Sequence, residues 1–353
     1  MRIVLLTEIP APYRIPLFNA LAERTDLHVV FLRERNPERP YGLHRDEWRF
    51  RWTVLRGRDV TLGRRWLVLN MGVRRALRGA DAVVLGGWNQ PAFWEALLLA
   101  KLRGLAVVVW VESTQRDART GAFDAVKRGL VRAFDAVVVP GRASTEHVRA
   151  LGVHERRITV AANAIDTALF GAAAGDRPAR PRCRFLYVGR LSPEKGVDVL
   201  LRAIRDLDVE LVIAGTGPQE TALRSAAPPH VTFLGHVDRD DLPTLYADAD
   251  ALVVPSLFEP WGMALNEGAA AGLPLVSTDA VGAAHDLVDD GGNGFRVPAG
   301  DAAALHGALR RLADDPALRA RMGARSLEIG ARFTPAAWAD GVVAATAAAR
   351  RAR

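Results

Sequence analysis

Lysine is almost missing from this chain: of 47 basic residues, only Lys101, Lys127 and Lys195 are lysines. Cysteine occurs once, at Cys183. No disulfide within the chain is therefore available, and a reducing compartment is the simplest setting. No uninterrupted apolar run reaches the roughly 18 to 20 residues of a membrane span. The opening residues 1–6 carry one basic residue, a short apolar run and no small-residue cleavage site before Pro10 and Pro12. They read as a first buried strand rather than a secretory leader. The eight histidines form no H-E-x-x-H or similar zinc spacing. Gly215-Thr216-Gly217 lacks the third glycine of a dinucleotide fingerprint, and no Walker lysine motif occurs. Zinc-finger spacing, RNP-like aromatics and a basic zipper are also missing. The net charge of +7 therefore implies only loose attraction to polyanions, not specific nucleic-acid recognition.

What is present is length and rhythm. The 353 residues, 49% of them hydrophobic, fit two domains. Short apolar, β-branched runs alternate with helical patterns, the mark of doubly wound parallel-sheet α/β domains. In the first half the runs are residues 3–7, 28–32, 52–55, 82–85, 106–111, 136–139 and 158–161, with helices expected over 91–102 and 144–151. In the second half they are 184–188, 210–214, 231–234, 251–254 and 274–278. Residues 166–182, rich in Gly, Ala and Pro, read as a linker. The expected division is 1–165, a linker at 166–182, a second domain at 183–334, and a helix over 335–353 that packs back toward the first domain. Ligands of such sheets sit at the carboxyl ends of the strands.

After the run 184–188 come Gly189-Arg190-Leu191-Ser192-Pro193-Glu194-Lys195-Gly196 and a helix over 197–205. Glycine allows close backbone approach, and Arg190 and Lys195 place two cations at a helix start, which suits a diphosphate. Lys195 is the sole lysine of the second half, where arginine abounds. A compact ammonium does not interchange with a guanidinium fork. After 251–254 come Pro255-Ser256-Leu257-Phe258-Glu259-Pro260-Trp261-Gly262. A helix from Met263 then carries Glu267. In one helix the two glutamates would stand roughly 12 Å apart, which suits contacts to two ends of an extended ligand. The amides of Gly262, Met263 and Ala264 face out of a helix N-terminus, where a diphosphate is favoured. Against this stands a plain surface turn with ordinary charges.

Gly189-Arg190 with Lys195-Gly196, then Gly215-Thr216-Gly217-Pro218, then Glu259-Pro260-Trp261-Gly262 with Glu267, then Ala271-Gly272-Leu273-Pro274, together resemble the family-4 retaining glycosyltransferases of the GT-B fold. That fold has two Rossmann-like domains facing a central cleft. The match runs in order through nearly all of residues 185–297. The opening Pro12-Tyr13-Arg14-Ile15-Pro16-Leu17-Phe18-Asn19 and the junction Asn163-Ala164-Ile165-Asp166 are also similar to the family. The resemblance implies that Arg190 and Lys195 hold the donor diphosphate, with Gly189, and that Glu267 accepts from the ribose hydroxyls. It further implies that Val237 meets the base through its backbone and that Glu259 lies at the transferred sugar. It implies retention at the anomeric carbon and no metal or other cofactor, with a UDP- or GDP-linked sugar as co-substrate. Where the family commonly carries a histidine after a strand of its first domain, this chain has Glu112-Ser113-Thr114.

The acceptor is expected on the first half: at Glu8 past the first strand, at Tyr13 and Arg14 on the rim, at Trp88 and Asn89 after 82–85, and at Glu112 and Thr114 after 106–111. Trp88 offers a stacking face, and the polar groups suit hydroxyls or an amine. Equally, Trp88 could fill a core gap and Glu112 cap a helix. Over residues 64–78, Trp66, Leu69, Val73 and Leu77 fall at helical spacing among five arginines. They suggest a basic amphipathic helix that packs on its own domain or lies on a membrane. Three D-x-D matches, at 206–208, 238–240 and 248–250, read as helix-boundary caps rather than metal sites.

The reading reached is a cytoplasmic glycosyltransferase, soluble or peripheral at the inner face of the membrane. It would move a sugar to a glycan, lipid-linked or small-molecule acceptor. The alternatives are an epimerase-like sugar-nucleotide enzyme on the same fold, or a non-catalytic nucleotide-sugar-binding protein.

Overall fold

The computed structural model describes residues 1–35, 42–62, 65–117, 128–171, 175 and 180–353. The chain divides into two compact units. One comprises Met1–Pro140, Ser144–Ile165 and Pro335–Arg353; the other comprises Gly141–Ala143 and Asp166–Thr334.

The first unit is built on a seven-stranded parallel sheet. Its strands are β1 (Arg2–Thr7), β2 (Asp26–Phe31), β3 (Arg51–Val54), β6 (Ala82–Leu85), β7 (Ala106–Trp110), β8 (Ala136–Val139) and β9 (Ile158–Val160), in the order β3-β2-β1-β6-β7-β8-β9. Valine, isoleucine and leucine fill the central strands because helices cover both faces of the sheet. Alternate residues feed two cores. Val4, Leu6, Val83 and Leu85 join Phe93 and Leu97 of helix Pro91–Leu102. Ile3, Leu5, Val84 and Val108 join Phe18 and Trp338. Trp338 lies on helix Pro335–Arg351, which packs across β7, β8 and β9. Its ring is fully buried, with centroids 5.0 Å from Trp110 and 6.2 Å from Phe18. Gly341 lets this helix come close: a Cβ there would stand 2.7 Å from that of Ala161.

Between β3 and β6 lies an antiparallel pair, β4 (Arg56–Leu62) and β5 (Arg65–Met71). This corrects the basic helix expected over 64–78; Arg64 lies outside the described residues, and only Val73–Ala76 is helical. The physical reason is a competing period. Val68 is buried, Asn70 donates to Leu32 O (2.7 Å) and Trp66 packs inward, while Leu69 and Met71 point out. That alternation has period two. The spacing of Trp66, Leu69, Val73 and Leu77 imitates a helix only because it spans a strand, Gly72 and a short helical turn.

The second unit has six parallel strands: β10 (Cys183–Val188), β11 (Val209–Ala214), β12 (Val231–Gly235), β13 (Ala251–Val254), β14 (Leu275–Thr278) and β15 (Gly294–Val297), in the order β12-β11-β10-β13-β14-β15. Residues 166–182 are not wholly a linker. Thr167–Gly171 is helical, and Phe170 is buried edge-on against Tyr246, with centroids 5.3 Å apart. Residues 172–174 and 176–179 lie outside the described residues. No helix among the described residues is long and apolar enough to cross a membrane.

Candidate functional site

In each sheet the strand order reverses once, between β1 and β6 and between β10 and β13. The loops leaving those four strands diverge there, which opens a crevice at the carboxyl edge. The candidate residues sit on these loops: Glu8 after β1, Trp88 and Asn89 after β6, Gly189–Lys195 after β10, and Glu259–Gly262 after β13.

In the second unit, glycines allow loops to touch backbone to backbone. A Cβ on Gly215 would fall 1.9 Å from Gly189 O, and one on Gly217 2.4 Å from Leu191 O. Leu191 N donates to Thr216 O (2.9 Å). Gly215-Thr216-Gly217 thus braces the loop that carries Arg190. Gly196 adopts φ +63° between the turn Pro193–Lys195 and the helix Val197–Ala203, and a Cβ there would meet Pro255 O at 2.3 Å. The amides of Leu257 and Phe258 donate to Glu194 O at 2.8 and 3.1 Å. These contacts bring the Lys195 ammonium onto the Glu259 carboxylate, and both side chains are mostly buried. Glu259 N donates to Ala280 O, and Gly282 N donates back to Glu259 O, so its loop is held from both sides.

Arg190 is half exposed and pairs with Glu194 at 2.9 Å. Glu194 also accepts from Ser192 Oγ at 2.6 Å. Burial works against its charge, but the Ser192 hydroxyl and the neighbouring Arg190 and Lys195 hold its carboxyl below the ordinary range. Ser192 stands at the head of the turn Pro193–Lys195 but spends its hydroxyl on this carboxylate rather than on a backbone amide. The Tyr187 hydroxyl donates to Arg190 O (2.7 Å) and fixes the loop from beneath. Gly262, at φ +104°, opens the helix Met263–Ala270, whose first turn has no side-chain cap. Met263 and Ala264 are half-buried there. Trp261 Nε1 donates to buried Asn266 (2.8 Å), which locks the turn. Further along, Glu267 accepts from the Tyr246 hydroxyl. Burial raises the Glu267 pKa, and Tyr246 and Arg239 pull it partly back. Val237 stands half-exposed just past β12.

In the first unit the polar residues form two groups. Arg14 Nη2 donates to Glu112 (2.9 Å), and Asn163 Nδ2 donates to the other Glu112 oxygen (2.9 Å). Arg14 also bonds Thr7 (3.0 Å) and stacks over Trp110 at 4.6 Å. Burial opposes its charge, but Glu112, Tyr13 and Glu8 outweigh that and raise its pKa. Ser144 Oγ donates to Glu112 O (3.1 Å). Glu112 is therefore an ion-pair partner and not a helix cap. In the second group, Gln90 Nε2 donates to Glu8 (2.6 Å), and Gln90 Oε1 accepts from Val68 N (2.9 Å). Arg33 lies over Trp66 and pairs with Glu8 and Asp59, each at 3.6 Å. Trp88 packs half-buried on the core, as the gap-filling alternative has it. Asn89 is exposed and Thr114 buried.

Sequence reasoning missed Tyr246, Tyr187 and Arg33. The first two sit inside ordinary apolar periodicity, and Arg33 is one arginine among many. Of the D-x-D carboxylates, Asp248 stands at the C-cap of the helix Leu242–Ala247, and several have partners of their own. Asp248 pairs with Arg180 and Arg184, Asp208 with Arg182 (2.6 Å), and Asp250 accepts from Arg184 N (2.8 Å).

Two family models match the chain: a glycosyl transferase 4-like domain over residues 11–164, and glycosyl transferases group 1 over residues 179–328. Glycogen synthase of Mycobacterium tuberculosis is 34% identical over 64% of this chain and 59% of its own length. The chain thus spans under two thirds of that relative. A D-inositol 3-phosphate glycosyltransferase of Streptomyces avermitilis is 31% identical over 75% of this chain and 64% of its own length. Among solved structures, Anabaena HepE in complex with UDP is 19% identical, with a TM-score of 0.79 over 98% of this chain and 99% of that one. It shares the two-sheet GT-B fold.

Proposed function

We propose that this chain, which belongs to the glycosyl transferases group 1 family, moves a sugar from a nucleotide diphosphate donor to a hydroxyl or amine acceptor. The observation that carries the reading is the meeting of Lys195 and Glu259, with Arg190 on the same loop, at the switch point of the second sheet.

In this reading the diphosphate exchanges with the carboxylates that now face Arg190 and Lys195. The two cations and the amides of Met263 and Ala264 stabilise charge growing on the leaving oxygen. Glu267, oriented by Tyr246, accepts from the ribose hydroxyls, and the backbone at Val237 meets the base. Glu259, released from Lys195, turns to the sugar. The acceptor attacks on the face the phosphate leaves, its proton passes to that phosphate, and configuration is retained. No step requires a metal. The polar groups around Glu8, Tyr13, Arg14, Asn89, Glu112 and Thr114 are assigned to the acceptor. The proposed setting is the cytoplasm; burial pushes the single thiol, Cys183, up to about 12, and such a thiol is inert.

The test is an incubation with UDP- and GDP-sugars and a panel of glycan, lipid-linked and small-molecule acceptors. Mass spectrometry would read the product and NMR its anomeric configuration. A retained glycoside is the expected outcome. Epimerised nucleotide sugar from donor alone, or donor binding without transfer or hydrolysis, would replace this reading with the epimerase or the binding protein.

A further inference from the structure

One surface of the first unit has no part in the proposed reaction. The antiparallel pair β4–β5 has two unlike faces. Asp59, Thr61, Trp66, Val68 and Asn70 share the inner face, where Asp59 meets Arg33 and Val68 is buried. The register places Arg56 opposite Met71, Arg58 opposite Leu69 and Val60 opposite Leu67 on the outer face. Among these six positions there is no acid. Leu69 is 51% and Met71 70% exposed, Val60 is 38% exposed, and both arginines are exposed.

A second apolar stripe lies alongside. Helix Pro91–Leu102 packs on β5 and on Val73–Ala76, and Arg103 Nη2 reaches Arg74 O at 3.3 Å. Trp94, Leu98 and Leu102, four residues apart, share one side of that helix, and Leu98 and Leu102 are 61% and 75% exposed. Exposed Arg103 caps the helix beside Leu102 and reaches exposed Arg74, whose short helix also carries exposed Arg75 and leads to exposed Arg78, against the single exposed acid Glu95 on the helix Pro91–Leu102.

Large exposed apolar side chains ringed by cations mark a contact surface. We propose that the β4–β5 outer face and the adjoining helix stripe rest on an anionic lipid bilayer. The apolar side chains enter the headgroup boundary while the arginines meet lipid phosphates. Charge decides between this occupant and a second copy of the chain. A symmetric self-pairing would lay the acid-free β4–β5 face on its own copy, with no carboxylate there to meet Arg56 and Arg58. An anionic surface neutralises them all.

The experiment is co-sedimentation of the full chain with vesicles of phosphatidylglycerol and phosphatidylcholine, beside vesicles of phosphatidylcholine alone. Binding to the anionic vesicles is expected, weakening steeply at ~1 M salt, where the Debye length shrinks to about 3 Å. The pair Arg56→Gln/Arg58→Gln and the pair Leu69→Gln/Met71→Gln should each reduce partitioning roughly tenfold or more. Leu327→Gln, an exposed leucine of the second unit, should change nothing. If the strand pair of apolar variants fails to fold, Leu98→Gln/Leu102→Gln carries the same test. No binding to anionic vesicles overturns the proposal. Binding that responds to the arginines but to neither apolar pair means adsorption to any polyanion, and also overturns it. So does a concentration-dependent dimer that the apolar variants abolish.

Discussion

The two carboxyl edges are built by opposite means. In the second unit, the functional loops are set mainly by backbone: Gly196 against Pro255 O, Gly215 against Gly189 O, and Glu194 O under two amides, with Tyr187 and Trp261 adding short-range side-chain locks. In the first unit, they are set by side chains from far along the chain. Arg14 reaches Glu112 across 98 positions, Gln90 reaches Glu8 across 82, and Asn163 reaches Glu112 across 51. Backbone scaffolds tolerate little change in the residue types that make them. Side-chain scaffolds can be rebuilt by exchanging partners. On the proposed function, the donor would meet the backbone-set loops and the acceptor the side-chain-set ones.

The largest effect expected from breaking this comparison is on stability. Trp338→Ala removes a fully buried indole between Phe18 and Trp110, and should destabilise the first unit by roughly 3–5 kcal/mol. Calorimetric titration with a nucleoside diphosphate should still show binding by the second unit. Loss of that binding together with the first-unit transition would mean that the units do not divide the work.

Next come the donor cations. Arg190→Ala and Lys195→Ala should each lower kcat/KM roughly 100-fold, since one lost charge contact in the transition state costs ~3 kcal/mol. Near-normal turnover in both folded variants would remove the diphosphate from this loop.

The two glutamates sharpen the comparison further. Glu267→Gln should weaken nucleoside diphosphate binding by about 1.5–3 kcal/mol, through loss of charge-assisted bonds. Glu259→Gln frees Lys195 from its carboxylate, so the same ligand should bind as tightly as before, or tighter, while turnover falls. The reverse pattern would exchange the two ends of the donor. Glu267→Gln has a second signature. Burial raises the folded pKa of Glu267 above its unfolded value. Below the ordinary carboxylate range, near 4.3, both states hold the proton and the carboxyl costs nothing. As pH rises through the unfolded and then the folded pKa, stability is lost. The variant should therefore melt higher than the wild type at neutral pH, and the gap should close as pH falls toward 4. A gap that stays constant with pH would mean Glu267 is not desolvated.

The smallest expected effect is none. With Asp208, Asp248 and Asp250 engaged by arginine or backbone, turnover should survive EDTA. Abolition by the chelator, with restoration by manganese or magnesium, would put a divalent cation into the reaction.

The same contrast governs what the sequence discloses. The loops after β10 and β13 announce themselves through Gly196, Pro260 and Gly262, because glycine and proline mark places where the backbone itself is constrained. Strands such as Ala251–Val254 and the helix Pro91–Leu102 follow from apolar period alone. The Arg14–Glu112–Asn163 and Arg33–Glu8–Gln90 groups leave no such mark. Their members are common residues whose meeting depends on tertiary folding, and Arg33 is hidden among many arginines. The β4–β5 pair was lost for a related reason: arginines and apolar residues interleave there so that strand and helix periods overlap over a short window. Tyr246 is invisible because a buried tyrosine reads like any apolar residue until Glu267 is found beside its hydroxyl.

Helix Pro335–Arg351 follows the whole of the second unit in the chain, yet it completes the core of the first. On a ribosome adding roughly 5–20 residues per second, β1–β9 emerge on the order of ten seconds or more before Trp338 does. During that interval the faces of Phe18 and Trp110 that the indole will cover stand open to solvent. The second unit is made during that same interval, and it has its entire sequence once Thr334 has emerged. The nascent first unit thus waits longest for its core to close, and a chain stopped shortly before Pro335 should hold a complete second unit beside a first unit that lacks its Trp338 wall.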